Sequence, residues 1–252
     1  MSKKKTTSKD KLIEKIIYLI AVIIVLIVSL KTDSVSYGYN EENVPTYNGK
    51  NYIILNDNVP EFDEEDINTN TFEKYSDLDY LGRAGVALAN ISIDLMPTEK
   101  RESIGSIKPT GWQISKYDFI DGKYLYNRCH LIAYQLTAEN ANEKNLITCT
   151  RQMNSVSMLK FENRVANYIK RTKNHVLYRV TPVYIEDNLL ASGVKMEALS
   201  IEDNGKGIKF NVYVYNVQDN IEIDYKTGDN KLKETNSTNG WVFSTYKLYQ
   251  YV

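Results

Sequence analysis

The sequence predicts an α+β chain with a central antiparallel sheet, one long amphipathic helix and an N-terminal hydrophobic helix. Three observations carry this reading. Residues 16–30, IIYLIAVIIVLIVSL, are apolar without interruption by charge. In residues 158–173, Met158, Phe161, Val165 and Ile169 recur at spacings of three and four, the period of a helix buried along one side. Then HVLYRVTPVYI, LLASGVKMEALSI and GIKFNVYVYNV come in succession, rich in β-branched and aromatic residues and separated by turns at 186–188 and 203–207, as in an antiparallel meander.

The first thirty residues read as an export signal. Lys3, Lys4, Lys5, Lys9, Lys11 and Lys15 precede the apolar run, an asymmetry that keeps the N-terminus cytoplasmic and sends the chain beyond the run outside. The run lies between the length of a signal-peptide core and that of a full membrane span, and no small-x-small cleavage site comes after it. A cleaved signal peptide and a retained membrane anchor over 16–30 both stay open, so the expected location is extracellular, either secreted or held at the outer face of the cell membrane. Residues 31–50 are polar and aperiodic, a tether. One main domain is expected over 51–228, and residues 229–252 form a polar tail ending in a further strand, GWVFSTYKLYQYV. Inside the domain, NYIILND reads as a short strand, followed by an acidic connection and a compact segment around LDYLGRAGVALANI. Residues 107–133 read as two strands joined by a turn, bracketed by Pro109–Gly111 and Asp121–Gly122.

At 252 residues, 42% hydrophobic and 25% charged, the chain has the composition of an ordinary globular protein. Its net charge of -1 argues against a polyanion partner until the charges are located. Residues 40–90 carry eleven Asp or Glu against three basic residues, whereas 127–182 carry nine Lys or Arg against Glu139, Glu143 and Glu162. A nucleic acid would therefore dock on the second segment.

That segment also holds His130, one of only two histidines, and so a rare candidate for a base that works near neutral pH. His130 ends a predicted strand directly behind Arg128 and Cys129, and Asn145 stands fifteen residues on, before a helical region. A strand-borne imidazole, a loop, then an amide that holds a hard cation is the layout of a ββα-metal finger. There the imidazole takes a proton from water while a largely hydrated divalent ion neutralises phosphate. The other histidine, His175, opens a strand and reads as structural.

Across NRCHLIAYQLTAENANEKNLITCTRQMN, residues 127–154, the chain resembles the bacterial DNA/RNA non-specific endonucleases, the type that includes streptococcal DNA-entry nucleases and streptodornases. The likeness runs from about Leu78 to Asp229 and takes in NHVLYRVTPVY and GIKFNVYVYNVQ. It implies a ββα-metal nuclease fold, cleavage of DNA and also RNA, and Mg²⁺ as cofactor with Mn²⁺ as a substitute. It places the general base at His130, the metal ligand at Asn145, and a water-orienting carboxylate at Glu162. Arg128 and Arg151 become phosphate or transition-state contacts, Asn154 a further active-site amide, and Asn127 part of the substrate contact. Two positions depart from the common D-R-G-H pattern: Asn127 replaces Asp, and Cys129 replaces a small residue.

Cys129 and Cys149 are the only cysteines, and both fall within the motif. A disulfide between them would close a loop of about twenty residues and contribute on the order of 3 kcal/mol. Two buried free thiols are the alternative. Two other functions compete with the nuclease: a non-catalytic, surface-anchored module that binds nucleic acid through its basic segment, and a cysteine hydrolase pairing Cys129 or Cys149 with His175.

Overall fold

The computed structural model describes residues 15–20 and 44–234. The chain divides into two units, Met1–Gly38 and Tyr39–Val252. In the first, residues 15–20 are helical. No helix among the described residues is long and apolar enough to cross a membrane. Most of the expected signal or anchor, much of the tether and the expected last strand lie outside the described residues.

The second unit is built on a six-stranded sheet. Its strands are β1 (Tyr52–Ile54), β2 (Phe72–Tyr75), β3 (Ala87–Ile91), β6 (Val176–Val183), β7 (Gly193–Ser200) and β8 (Lys209–Tyr215), ordered β1-β8-β7-β6-β3-β2. All pairings are antiparallel, and the expected meander is β6-β7-β8. Alternate residues point to opposite faces of a strand. Tyr178 and Val180, Met196 and Ala198, Phe210 and Val212 therefore share one face, where they join the main apolar core. Arg179, Glu197, Lys195 and Asn211 occupy the other face, yet they too are buried. Residues 56–71 cross over them: Glu61 N donates to Glu197 Oε1 at 2.9 Å, and Asn211 Nδ2 donates to the Val59 carbonyl at 2.9 Å. These strands therefore alternate apolar and polar residues although both of their faces are buried.

The core's second layer is helix α2 (Leu159–Thr172), which a π-helical turn, Met153–Met158, precedes. Its apolar stripe, Phe161, Val165, Ala166, Tyr168 and Ile169, packs in the same cluster as the inner sheet face. Lys173 ends it in the left-handed region (φ 64°), its N–H returning to the Ile169 carbonyl at 2.8 Å. Lys170 and Arg171 in the last turn complement the helix dipole.

Beside this layer stands a separate ribbon, β4 (Tyr126–His130) paired antiparallel with β5 (Leu146–Thr150). The ribbon corrects the expected hairpin over 107–133. Within 107–125 only one bridge forms, Lys116 with Tyr124, because the apolar residues there serve a small satellite core of Ile120, Leu125, Tyr126, Leu190 and Ile221. The partner of β4 is LITCT, whose five residues are all buried, so it shows no alternation from which a strand is read. β2 and β3 are likewise strands where an acidic connection and a compact segment were expected. A short hairpin, β9 (Ile221–Ile223) with β10 (Asn230–Leu232), extends order into the expected polar tail.

Two devices lock the ribbon to the sheet unit. Fully buried Asn216 accepts from Thr150 N at 2.9 Å and donates to the carbonyls of Ala191 at 2.9 Å and Thr148 at 3.3 Å, so one amide ties β5 to the end of β8. Gly111, at φ 65°, brings the 109–112 turn down onto Leu190, where a Cβ would overlap that side chain.

Candidate active site

β4, β5, the π-helical turn and α2 form a ββα unit. The register pairs His130 with Leu146, Arg128 with Thr148 and Asn127 with Cys149. His130 and Arg128 thus alternate with Asn127 and Cys129 along one strand. Cys129 and Cys149 are joined as a disulfide across the ribbon, their Cα atoms 5.9 Å apart and both side chains within the core.

His130 is buried, with 6% of its surface exposed. Its Nε2 lies 2.7 Å from the Asn140 carbonyl oxygen. A carbonyl only accepts, so Nε2 carries the proton and Nδ1 keeps a free lone pair. Burial holds the imidazole pKa down at about 4; the bond to Asn140 opposes this shift and the positive charge of Arg101 adds to it. The ring is therefore neutral at physiological pH, the state a proton acceptor needs. The side-chain oxygen of Asn140 is itself buried without a hydrogen-bond partner.

Asn145 has a different task from the expected one. Its Oδ1 accepts from Ile132 N at 2.9 Å and its Nδ2 donates to the Ile132 carbonyl at 3.0 Å, with none of its surface exposed. Both ends of the amide are engaged by one residue's backbone, which closes the loop after His130 upon the start of β5. A cation has no approach to Oδ1 while that clasp holds. Glu162, expected as a carboxylate facing a metal's water shell, lies on the core side of α2. Burial pushes its carboxyl up to about 8, which leaves it largely neutral at pH 7, near the buried hydroxyl of Tyr178. The adjacent Asn163 is on the exposed side of α2 and accepts from Gln135 Nε2 at 3.1 Å. Gln135 lies in helix α1 (Tyr134–Thr137), which begins four residues after His130, so Asn163 is tied to the chain leaving the imidazole.

The two expected arginines are partly engaged. Arg128 stacks on Trp112 with its Cζ 3.9 Å from the ring centre, and donates to the carbonyls of Ile107 and, at 2.9 Å, Gly105. It holds the loop in front of β4. Arg151 pairs with Asp121 at 2.7 Å and reaches Asn127 Oδ1 at 3.4 Å, and Asn154 Nδ2 donates to the same oxygen at 3.1 Å. Asn127 is thus the acceptor on which Arg151 and Asn154 converge, a role its neutral amide fills without the charge of an Asp. Sequence reasoning missed Arg101. Its side chain is exposed, and its charge adds to the lowering of the His130 pKa. It sits in the aperiodic stretch PTEKRESIG, where the one available signal was a cation without a helical or strand pattern around it.

Comparison with known proteins gives the family and the fold. The family model for DNA/RNA non-specific endonucleases matches residues 64–201, more than half of the chain, and the protein belongs to that family. Crystal structures of NucA from Streptococcus agalactiae superpose with TM-scores of 0.64 for the metal-free form and 0.63 for the magnesium-bound form. Their identities are 24% and 25%, covering 77% and 71% of this chain and 92% and 86% of theirs. Sda1 nuclease with bound zinc gives a TM-score of 0.53 at 30% identity, over 65% of this chain and 81% of that one. The protein is an endonuclease of ββα-metal architecture, and nucleic acid is its substrate.

Proposed function

We propose that this is an exported, divalent-metal-dependent endonuclease that hydrolyses phosphodiester bonds of DNA, and also of RNA, with little sequence preference. His130 acts as the general base. The observation that carries the reading is the Asn140 carbonyl on His130 Nε2, which fixes the tautomer and leaves Nδ1 to take the proton from water. The water oxygen attacks phosphorus, its proton passes to Nδ1, and the 3′-oxygen leaves with a proton from solvent, giving 5′-phosphorylated ends. Arg101, beside His130, and Arg151, in an exposed pair that phosphate can open, bind the anionic substrate.

The donor set fits a hard cation that keeps most of its water. Among the described residues no group of three or more His, Cys, Asp or Glu forms a metal cage, and the amide oxygen of Asn154, in the π-helical turn that opens α2, is the type of ligand Mg²⁺ takes singly. Asn154, whose Nδ2 is fixed by Asn127 and whose oxygen is left for a ligand, would hold the ion rather than Asn145. When bound, it supplies positive charge to the phosphate and the departing oxygen. The magnesium-bound and zinc-bound relatives support a divalent ion; Mg²⁺, with Mn²⁺ as a substitute, is the choice that the family resemblance implies. The lysine-flanked apolar run over residues 16–30 supports export, with membrane contact through that run if it is retained.

The test is digestion of plasmid and of RNA by residues 32–252, in Mg²⁺ and in EDTA. Cleavage that EDTA abolishes is expected. Asn154→Ala should raise the Mg²⁺ concentration needed for half-maximal rate, and Asn145→Ala should leave it unchanged. The reverse pattern would return the metal to Asn145.

A further inference from the structure

The loop ahead of β4 displays aromatic and apolar side chains that catalysis leaves unexplained. Ile114 is 75% exposed, Phe119 52% and Tyr124 48%. The loop is nevertheless firmly built. Leu125 N donates to the Ser115 carbonyl at 3.0 Å, Tyr117 N to the Lys123 carbonyl at 2.9 Å and Lys123 N to the Ile120 carbonyl at 2.8 Å. The Tyr117 hydroxyl reaches Asn230 at 2.7 Å, and Ile120 and Leu125 fill the satellite core. One set of apolar residues is buried and the other is held out in water on a fixed base.

Lys116 Nζ lies 4.7 Å from the Tyr124 ring centre, Phe119 rests against Tyr117 with ring centres 5.7 Å apart, and Arg128 stacks on the half-buried Trp112. The loop's two acids are held in ion pairs, Asp118 with Lys123 at 2.9 Å and Asp121 with Arg151 at 2.7 Å. The surface therefore presents two exposed rings, one of them with a lysine beside it, and the chain continues from Tyr124 into the strand that carries Arg128 and His130. Tyr124 precedes His130 by six residues, about 20 Å along an extended strand.

We propose that Phe119, Tyr124 and Lys116 form a stacking surface for unpaired bases, onto which single-stranded nucleic acid runs as it leaves the catalytic centre along β4. The proposal rests on the nuclease reading and adds a substrate class to it. Unpaired bases expose both faces to aromatic rings, each worth about 1–3 kcal/mol when stacked, with lysine meeting the backbone. In a duplex those faces are already covered, so the same surface gives it little.

The experiment compares three substrates: oligothymidylate of about twelve nucleotides, one of about four, too short to span the distance, and a blunt duplex matching the longer one. Phe119→Ala/Tyr124→Ala should raise KM for the long single strand by roughly tenfold with kcat unchanged, and leave the short strand and the duplex as they were. Phe119→Tyr should keep the wild-type value. Equal losses on all three substrates, or no loss on any, overturn the proposal. So does a wild-type dimer in sedimentation that the double variant dissolves, which would assign the patch to self-association. Anisotropy of the labelled long strand in EDTA separates the two readings. Binding that the double variant weakens, in a wild type that fails to cleave with metal, sinks the nuclease mechanism and supports the surface. Cleavage with binding unchanged in the variant does the opposite.

Discussion

Two buried polar clusters in this protein differ in how completely their members are paired. On the outer face of the sheet, Arg179 donates to Glu197 at 2.8 Å and to the Glu61 carbonyl at 2.6 Å, Lys195 lies 3.2 Å from Glu197, and Phe62 covers the guanidinium at 5.0 Å. Every charge there meets another, and the polar atoms left without a partner, the amide oxygens of Asn90 and Asn211, are neutral. Around His130 one imidazole nitrogen is held and the other is left with its lone pair, Asn140 Oδ1 lacks a partner, and Arg101 depresses the imidazole pKa instead of pairing with an acid. Paired buried charges hold a structure together, whereas a buried base with an open lone pair beside an unpaired cation is arranged for chemistry. The comparison is broken most directly at its most reactive member: His130→Ala should lower kcat/KM on DNA by roughly two to four orders of magnitude. It should also preserve the thermal transition to within a few degrees. A near-normal rate would remove His130 from the chemistry.

The opposite behaviour is expected on the outer face. Arg179→Ala strands Glu197 without its main counter-charge, and breaking a buried pair in this way costs about 3–5 kcal/mol. Urea melts should show that loss, while kcat/KM of the fraction still folded stays near the wild-type value. If the variant is stable but inactive, the sheet face belongs to the site after all.

How legible each cluster was in the sequence depends on the same contrast. The meander and α2 carried clear periods of two and of three to four, and they stand where the sequence put them. His130 was legible because histidine is rare in this chain and the motif around it is distinctive. Asn145 was assigned by spacing, and spacing does not say whether an amide faces solvent or backbone. Its clasp on Ile132 is a contact across thirteen residues of loop that no local pattern records. β5 escaped because LITCT is buried on both sides, and Arg101 because it lies in an aperiodic loop whose path depends on Arg128 and Trp112. Asn145→Ala puts this to a test. Leaving the Ile132 N–H and carbonyl unpaired in the core should cost about 1–3 kcal/mol, with the lost activity returning on cooling or with a stabilising osmolyte. A stable variant with a lost metal response would restore the original assignment.

The imidazole gives the comparison a pH axis. His130 is held down at about 4 in the folded chain, against an ordinary value of 6.5. As the pH falls from 6.5 toward 4 the unfolded chain binds a proton there and the folded one does not, so this group's contribution to stability declines over that window and levels off below it. The shift corresponds to a loss on the order of 3 kcal/mol. His130→Gln should flatten the acid side of the stability curve by about that amount. In the wild type the base stays mostly neutral until the pH nears 4, so kcat/KM measured where the protein remains folded should hold below pH 6. An acid limb centred on 6.5 would mean that His130 titrates as an exposed imidazole does.

The smallest effect separates structural from functional use of a single arginine. The Arg151–Asp121 pair is exposed, the acid's side chain by 83%, and pairs of this kind contribute about 0–1 kcal/mol. Asp121→Asn should therefore barely move the thermal transition. It releases the guanidinium and removes a negative charge from the substrate face, so KM for DNA should fall a few-fold at low ionic strength, with the gain fading as salt screens the phosphates. Arg151→Ala should change KM the other way with the same salt dependence. If both variants leave KM untouched, Arg151 belongs with the paired charges: its bonds to Asp121 and Asn127 then serve only to brace the start of β4 against the end of β5, and Arg101 is left as the cation that meets phosphate beside His130.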